Sequence, residues 1–86
     1  MASIEEVRAG IALAVDKASE SLGALQQAYA SLEQALGVLV HSTEGSPQAD
    51  VSRATGLFSQ AVGNVQETQQ AVRAGMTEAE AVSNRL

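Results

Sequence analysis

The residues that could carry acid–base or metal chemistry are few and scattered. His41 is the only histidine in the chain, and the chain has no cysteine. A protein zinc site needs three or four His, Cys or carboxylate ligands, so the sequence predicts no metal site around His41. Its position at the end of a helical pattern predicts instead a helix C-terminal residue whose side chain meets the last carbonyls.

Catalysis by a nucleophile or by paired carboxylates is not indicated either. The sequence contains no Gly-x-Ser-x-Gly elbow and no glycine-rich phosphate loop after a strand pattern. The carboxylates of Glu5/Glu6, Glu33 and Glu78/Glu80 fall on solvated helix faces, where nothing removes water from them. We therefore expect no enzymatic activity, no cofactor and no small-molecule substrate.

Tyr29 allows two interpretations. It lies on the apolar stripe with Leu25 and Leu32, which predicts a core or interface aromatic whose hydroxyl reaches the rim. Tyr29 and Glu33 also spell Tyr-x-x-x-Glu, a pattern that could be read by a partner. The stripe position alone explains the residue, so the first interpretation is favoured.

The composition of the 86 residues predicts a small all-α protein. Hydrophobic residues make up 45% of the chain and aromatic residues 2%, which suits helix-on-helix packing. The net charge is −5 and the basic residues are scattered, whereas nucleic acids and anionic lipids require clustered Lys and Arg. The apolar runs are shorter than the roughly 20 residues that span a bilayer. We expect a cytoplasmic location, or export without a cleaved signal peptide.

A helical pattern over residues 4–41 organises the chain. Its apolar residues are separated by alternating steps of four and three, the spacing of a coiled-coil seam. They are Ile11, Val15, Ala18, Leu22, Leu25, Tyr29, Leu32, Leu36 and Leu39. Ser3 and Glu6 form a capping box at the start of this pattern. A row of small residues runs beside the seam: Ala14, Ser21, Ala28 and Ala35.

Residues 42–46 predict a hairpin turn. Gly45 can adopt the left-handed conformation that ends a helix, Ser46 can cap the next helix, and Pro47 fits its first turn. A turn of this length joins antiparallel neighbours.

The second helix is predicted over about residues 47–85 with the same spacing. Its stripe consists of Val51, Phe58, Val62, Val65, Val72, Met76, Ala79 and Leu86, and its small row of Ala54, Ala61, Thr68 and Gly75. Thr55 and Gln69 place polar side chains in the seam, a device that typically fixes register. A kink near Gly75 is the alternative to a continuous helix, which we favour.

These patterns predict a single domain over residues 1–86, an antiparallel two-helix hairpin. We expect it to dimerise into a four-helix bundle, or to dock on another helical protein, because Leu13, Val38, Val40 and Leu57 lie off the seam and leave apolar surface outside. The expected core or interface residues are Ile11, Leu22, Leu25, Tyr29, Leu32, Leu36, Phe58, Val62, Val65 and Val72. Close approach of a neighbouring helix would offset the cost of interior glycines such as Gly23 and Gly37.

The outline of the chain resembles the Esx-like (Trp-x-Gly) helical hairpins exported by type VII secretion in actinobacteria and related bacteria. The opening Ser3-Ile4-Glu5-Glu6-Val7 and the turn Gly45-Ser46-Pro47 are similar to small helical proteins of that system. The turn has no tryptophan, and the Tyr29/Glu33 pattern lies in the first helix, whereas the family carries its signal after the second. The resemblance implies dimerisation, and pairing with a larger toxin or secreted substrate as an adaptor.

Three functions are therefore open at this point. The first is an adaptor or substrate of a type VII-type secretion or toxin system. The second is a cytoplasmic, self-assembling structural or scaffold module. The third is an amphipathic protein of lipid surfaces, which the low content of basic residues makes the least favoured.

Overall fold

The protein is an antiparallel hairpin of two long helices. The computed structural model describes residues 2–46 and 48–86. Helix α1 spans Ile4–Ser42 and helix α2 spans Ala49–Arg85. Their pairing confirms the predicted all-α hairpin and makes a rod of 63 × 18 × 16 Å. Over the described residues, neither helix contains a segment long and apolar enough to cross a membrane.

Both ends of α1 follow from local hydrogen bonding. The Ser3 side chain accepts a hydrogen bond from the Glu6 backbone N–H at 3.1 Å, which satisfies one of the free donors at the helix start. At the other end the Thr43 backbone N–H donates to the Leu39 carbonyl at 3.1 Å. Gly45 then takes φ +80, the left-handed conformation that glycine adopts without steric cost. The predicted N-cap at Ser3 and the predicted positive φ at Gly45 are confirmed. Between the described residues Ser3 and Glu6, the reciprocal bond from the Ser3 backbone N–H to the Glu6 side chain is not formed, and α1 ends at the Thr43 cap, two residues before Gly45.

The start of α2 differs from the prediction at its cap. The helix begins at Ala49 with Gln48 as its N-cap, close to the predicted start at about residue 47, but the expectation that Ser46 caps it is wrong. The Ser46 backbone N–H donates to the Thr43 carbonyl at 3.0 Å, which holds Ser46 in the turn, while the Gln48 carbonyl accepts from Val51 at 3.1 Å. Pro47 itself lies outside the described residues.

Helix α2 continues through Gly75 without interruption, as favoured from the sequence. The Thr77 hydroxyl donates to the Arg73 carbonyl at 3.1 Å and therefore stays within the helix instead of capping a new one.

The two helices meet along the seam that the spacing predicts. In α1 the half-buried seam residues are Ile11, Val15, Ala18, Leu22, Leu25, Tyr29, Leu32, Leu36 and Leu39. Those of α2 are Val51, Thr55, Val62, Val65, Val72, Met76, Ala79 and Ser83, with Gln69 the most buried residue at 7% exposed. Across the described residues no hydrophobic side chain is fully buried. The two helices therefore pack through one row of half-buried residues each, and solvent reaches this seam from both of its edges.

The interior glycines do not mark close contact between α1 and α2. A Cβ atom built on Gly23 or Gly37 would meet nothing within 4 Å, and the same holds for Gly56, Gly63 and Gly75. The expectation that the neighbouring helix of the hairpin approaches these positions is wrong. They face open space because the single partner helix covers only the seam.

Candidate functional site

The two edges of the seam differ, and antiparallel pairing explains why. In heptad notation the seam residues occupy positions a and d, with Leu25 at d and Tyr29 at a. Ala14 and Gly75, both at position g, line one groove between the helices. Ala12 and Glu80, both at position e, line a groove on the opposite edge. Each edge thus collects the same heptad position from both helices.

We call the d and g positions of both helices the charge-free side. The g residues of α1 are Val7, Ala14, Ser21, Ala28, Ala35 and Ser42, and those of α2 are Ala54, Ala61, Thr68, Gly75 and Val82. The d residues are Ile4, Ile11, Ala18, Leu25, Leu32 and Leu39 in α1, and Val51, Phe58, Val65, Val72 and Ala79 in α2, with Leu86 just beyond its end. None of these residues is charged, and a groove of about 300 Å³ between Ala14, Ala18, Val72 and Gly75 runs along this side.

We call the edge formed by the e positions the polar side. Gln69 Nε2 donates to Gln26 Oε1 at 3.2 Å, and Gln66 Nε2 lies 3.5 Å from the Tyr29 hydroxyl oxygen. These bonds join the two helices across the edge. Further along, the same edge carries the charged residues Glu5, Glu33, Arg73 and Glu80. Polar and charged groups of this kind are stable in contact with water.

Glu33 affects the ionisation of Tyr29 on the polar side. Hydrogen bonding to the Glu33 carboxylate raises the pKa of Tyr29 above its ordinary value, and partial desolvation and the negative charge of Glu33 act in the same direction. A phenolate beside a carboxylate is disfavoured, so the neutral tyrosine is retained. The Tyr-x-x-x-Glu pattern is thus a local pair at the seam rim.

Large apolar side chains that remain exposed concentrate on the charge-free side. At d and g positions they are Ile4 (54% exposed), Val7 (38%), Phe58 (37%), Val82 (40%) and Leu86 (41%). Val38 and Leu57, each 66% exposed, occupy c positions that border the same side. Only Leu13 at 59% and Val40 at 45% lie elsewhere among the exposed large apolar residues described. The exposed side chains on and beside the charge-free side form two groups, one near each end of the rod, and the small residues of the g positions lie between the groups. The bordering c positions also include the charged residues Lys17, Glu78 and Arg85.

Nine of the ten sequence-predicted contact residues are half-buried in the seam, namely Ile11, Leu22, Leu25, Tyr29, Leu32, Leu36, Val62, Val65 and Val72. Phe58 has the spacing of a seam residue but remains 37% exposed, so the partner helix covers it incompletely. The exposure of Leu13, Val38, Val40 and Leu57 confirms that apolar surface lies off the seam.

The two rows of small residues share one edge of the seam, which was not predicted from the sequence. The signal was present, because antiparallel coiled coils place g beside g and e beside e.

His41 lies at the turn, away from both sides. Its Nδ1 atom is 3.9 Å from a Glu44 carboxylate oxygen, and both side chains are largely exposed. Within residues 2–46 and 48–86, no three His, Asp or Glu side chains come close enough together to hold a metal ion. The turn therefore offers one exposed contact between two polar side chains, and exposed contacts of this kind contribute little to stability.

The hairpin exposes more surface than a compact protein of its mass. Its accessible area is 6118 Å², whereas a compact monomer of 8.8 kDa exposes about 4,800 Å². The radius of gyration is 19.3 Å, against about 12 Å for a globular chain of this length. The extended rod shape therefore leaves a large part of the chain in contact with solvent.

Comparisons of the chain with protein-family models, with curated proteins and with solved structures found no match.

Proposed function

We propose that this protein is a non-enzymatic module that works by binding other helices along its open seam. The observation that carries the proposal is the absence of any fully buried hydrophobic side chain in the described part of the chain. A chain of this size gains too little from a half-buried seam to offset the entropy cost of folding comfortably. Additional helices would supply the missing burial, as in a four-helix bundle.

Crosslinking in living cells tests association with helices. A photoreactive amino acid at Leu57, which is 66% exposed beside the charge-free side, should crosslink to a helical protein or to a second copy. The same amino acid at Gln34, at an exposed f position on the outer face, is the matched control and should give no defined product. Absence of a defined crosslink from Leu57, or equal products from both positions, would contradict the proposal.

Within this class we propose an adaptor or substrate of a type VII-type secretion or toxin system. The hairpin outline, the acidic charge of −5 and the absence of cysteine support this assignment through the Esx-like resemblance. The protein should appear in the culture medium of its host, and should disappear from it when the secretion ATPase is deleted. Retention inside cells under conditions of active export would count against this function.

A self-assembling scaffold is the second candidate function. The charge-free side favours it, since two copies can meet there without burying a charge. Light scattering on the purified protein should then show a stable assembly in the absence of any partner. A protein that stays monomeric would remove this candidate.

A further inference from the structure

We infer that a second copy of this chain covers the charge-free side, so that d and g residues of two hairpins form the common core of a four-helix bundle. The inference rests on the proposed helix-binding function and assigns both the surface and its occupant. The polar side stays in water in this assembly. The choice between the two sides comes from the distribution of charge and of exposed apolar side chains.

The area available fits a second hairpin. The chain exposes 6118 Å², about 1,300 Å² more than a compact monomer of its mass. A standard stable interface buries about 800 Å² on each partner. The excess is therefore large enough for one stable interface, and the rod shape spreads it along a length of 63 Å. A partner rod of equal length covers such a surface from end to end.

The charge-free side is also complementary to itself. A two-fold dimer brings the same surface patch from both copies together, so the patch must be complementary to itself, without like charges facing each other. Two copies carry a net charge of −5 each and repel one another overall. Because the d and g positions contain no charged residue, contact through them buries no charge. Charges at the bordering c positions, such as Lys17, Glu78 and Arg85, lie at the rim of such a contact, where salt screens them.

Small side chains on this side allow close packing. Alanine, serine, threonine or glycine fills all g positions except Val7 and Val82, and a Cβ atom on Gly75 would still meet nothing within 4 Å. The groove of about 300 Å³ lined by Ala14, Ala18, Val72 and Gly75 has room for apolar side chains of a partner helix. Large exposed side chains such as Leu57 and Phe58 would supply them.

Sedimentation equilibrium of the full chain and of two matched variants tests the inference. Ala14→Lys places a charge on the charge-free side, whereas Ala12→Lys places the same charge on the polar side, and both alanines are exposed in the hairpin. Each change makes the net charge of −5 less negative, so overall repulsion cannot cause dissociation. Circular dichroism of each variant checks that the hairpin still folds.

The wild-type chain should sediment as a dimer at micromolar concentration. Ala14→Lys should weaken the dimer by about 100-fold or more, because two unpaired charges enter the interface of a two-fold dimer. Ala12→Lys should leave the dimer constant within about threefold, as surface charges do.

Two results would overturn the inference. A wild-type chain that is monomeric up to millimolar concentration would show that a second copy is not the occupant. Dissociation by Ala12→Lys, or equal effects of both variants, would show that the charge-free side is not the interface. A crosslink from Leu57 to a different helical protein would in either case leave the helix-binding function standing.

Discussion

The two edges of the seam share the same helices and the same apolar centre, yet they face their surroundings with opposite chemistry. The polar side is bridged by side-chain hydrogen bonds such as Gln26–Gln69 at 3.2 Å, and it carries Glu33 and Arg73. The charge-free side has only small or apolar groups, among them Ala14 and Gly75. The polar side is stable in contact with water. Covering the charge-free side would stabilise the protein, because its apolar surface would be removed from water.

From this difference we propose that the residues flanking the seam of this hairpin determine which side a partner covers. The seam residues fix how the two helices pair, because their period determines the buried face. The charged residues of the e row favour contact with water, whereas the g row carries no charge. A single seam can thus combine stable pairing with a directed binding surface.

A charge in the seam should separate the two helices, so that neither the polar side nor the charge-free side forms. This change has the largest expected effect. Leu25→Asp puts a charge at a half-buried position without a partner, which we expect to destabilise the hairpin by about 3 kcal/mol or more. Urea unfolding followed by circular dichroism measures it. Glu20→Ala is the control: its carboxylate lies 3.5 Å from Lys17 with both side chains exposed, so the change should stay within about 0.5 kcal/mol.

Making the polar side more like the charge-free side should stabilise the hairpin. Gln69 is 7% exposed, and Gln69→Leu adds apolar burial while the exposed Gln26 partner can bond to water. We expect a gain of about 1 kcal/mol in the free energy of unfolding, with looser register between the helices. Gln69→Ala, which leaves the space unfilled, should lower stability. A loss with leucine as large as with alanine would contradict this view of the polar side.

Glycine substitutions sharpen the comparison. A Cβ atom at Gly23 or at Gly75 meets nothing within 4 Å in the hairpin, so each change to alanine should add about 1 kcal/mol through helix propensity. Gly23 lies away from the charge-free side, so the gain in stability at this position should not depend on protein concentration. The gain at Gly75 should shrink at concentrations where the charge-free side is covered. Thermal unfolding of both variants over a range of concentrations separates the two cases.

The ionisation of Tyr29 tests the polar side, and its expected effect on stability is the smallest of those predicted. Because hydrogen bonding to Glu33 raises the pKa of Tyr29, the neutral phenol is favoured in the folded state. This contribution to stability is present below the ordinary tyrosine pKa and is lost as pH rises through the raised folded value. Absorbance titration of the phenolate should show a midpoint above that of free tyrosine. Glu33→Gln should move the midpoint downward, and an unchanged midpoint would show that Glu33 is not the cause.

Periodicity made most of the fold predictable from the sequence. The half-buried α1 residues from Ile11 to Leu39 are the ones that the alternating steps identify, because a long helix in water must place its apolar stripe against a partner. The cap at Ser3 and the left-handed Gly45 were predictable for a similar reason, since few residue types satisfy those backbone positions.

Other features depend on interactions that a linear pattern does not contain. The start of α2 depends on which carbonyl accepts the Ser46 backbone N–H, and that bond keeps Ser46 in the turn. The surroundings of Gly23 and Gly37 depend on how many helices pack together, and the single partner helix of the hairpin leaves both positions open. The contrast between the edges required the antiparallel pairing, which sets Ala14 beside Gly75.

Thiol labelling of single-cysteine variants tests most directly whether the charge-free side is covered in solution. The chain has no cysteine, so Ala14→Cys and Ala12→Cys each give one reporter, two residues apart on opposite edges. Both thiols should react at equal rates in dilute protein, and only the cysteine at position 14 should become protected, by about tenfold or more, as concentration rises. Equal labelling of the two positions at every concentration would contradict the account.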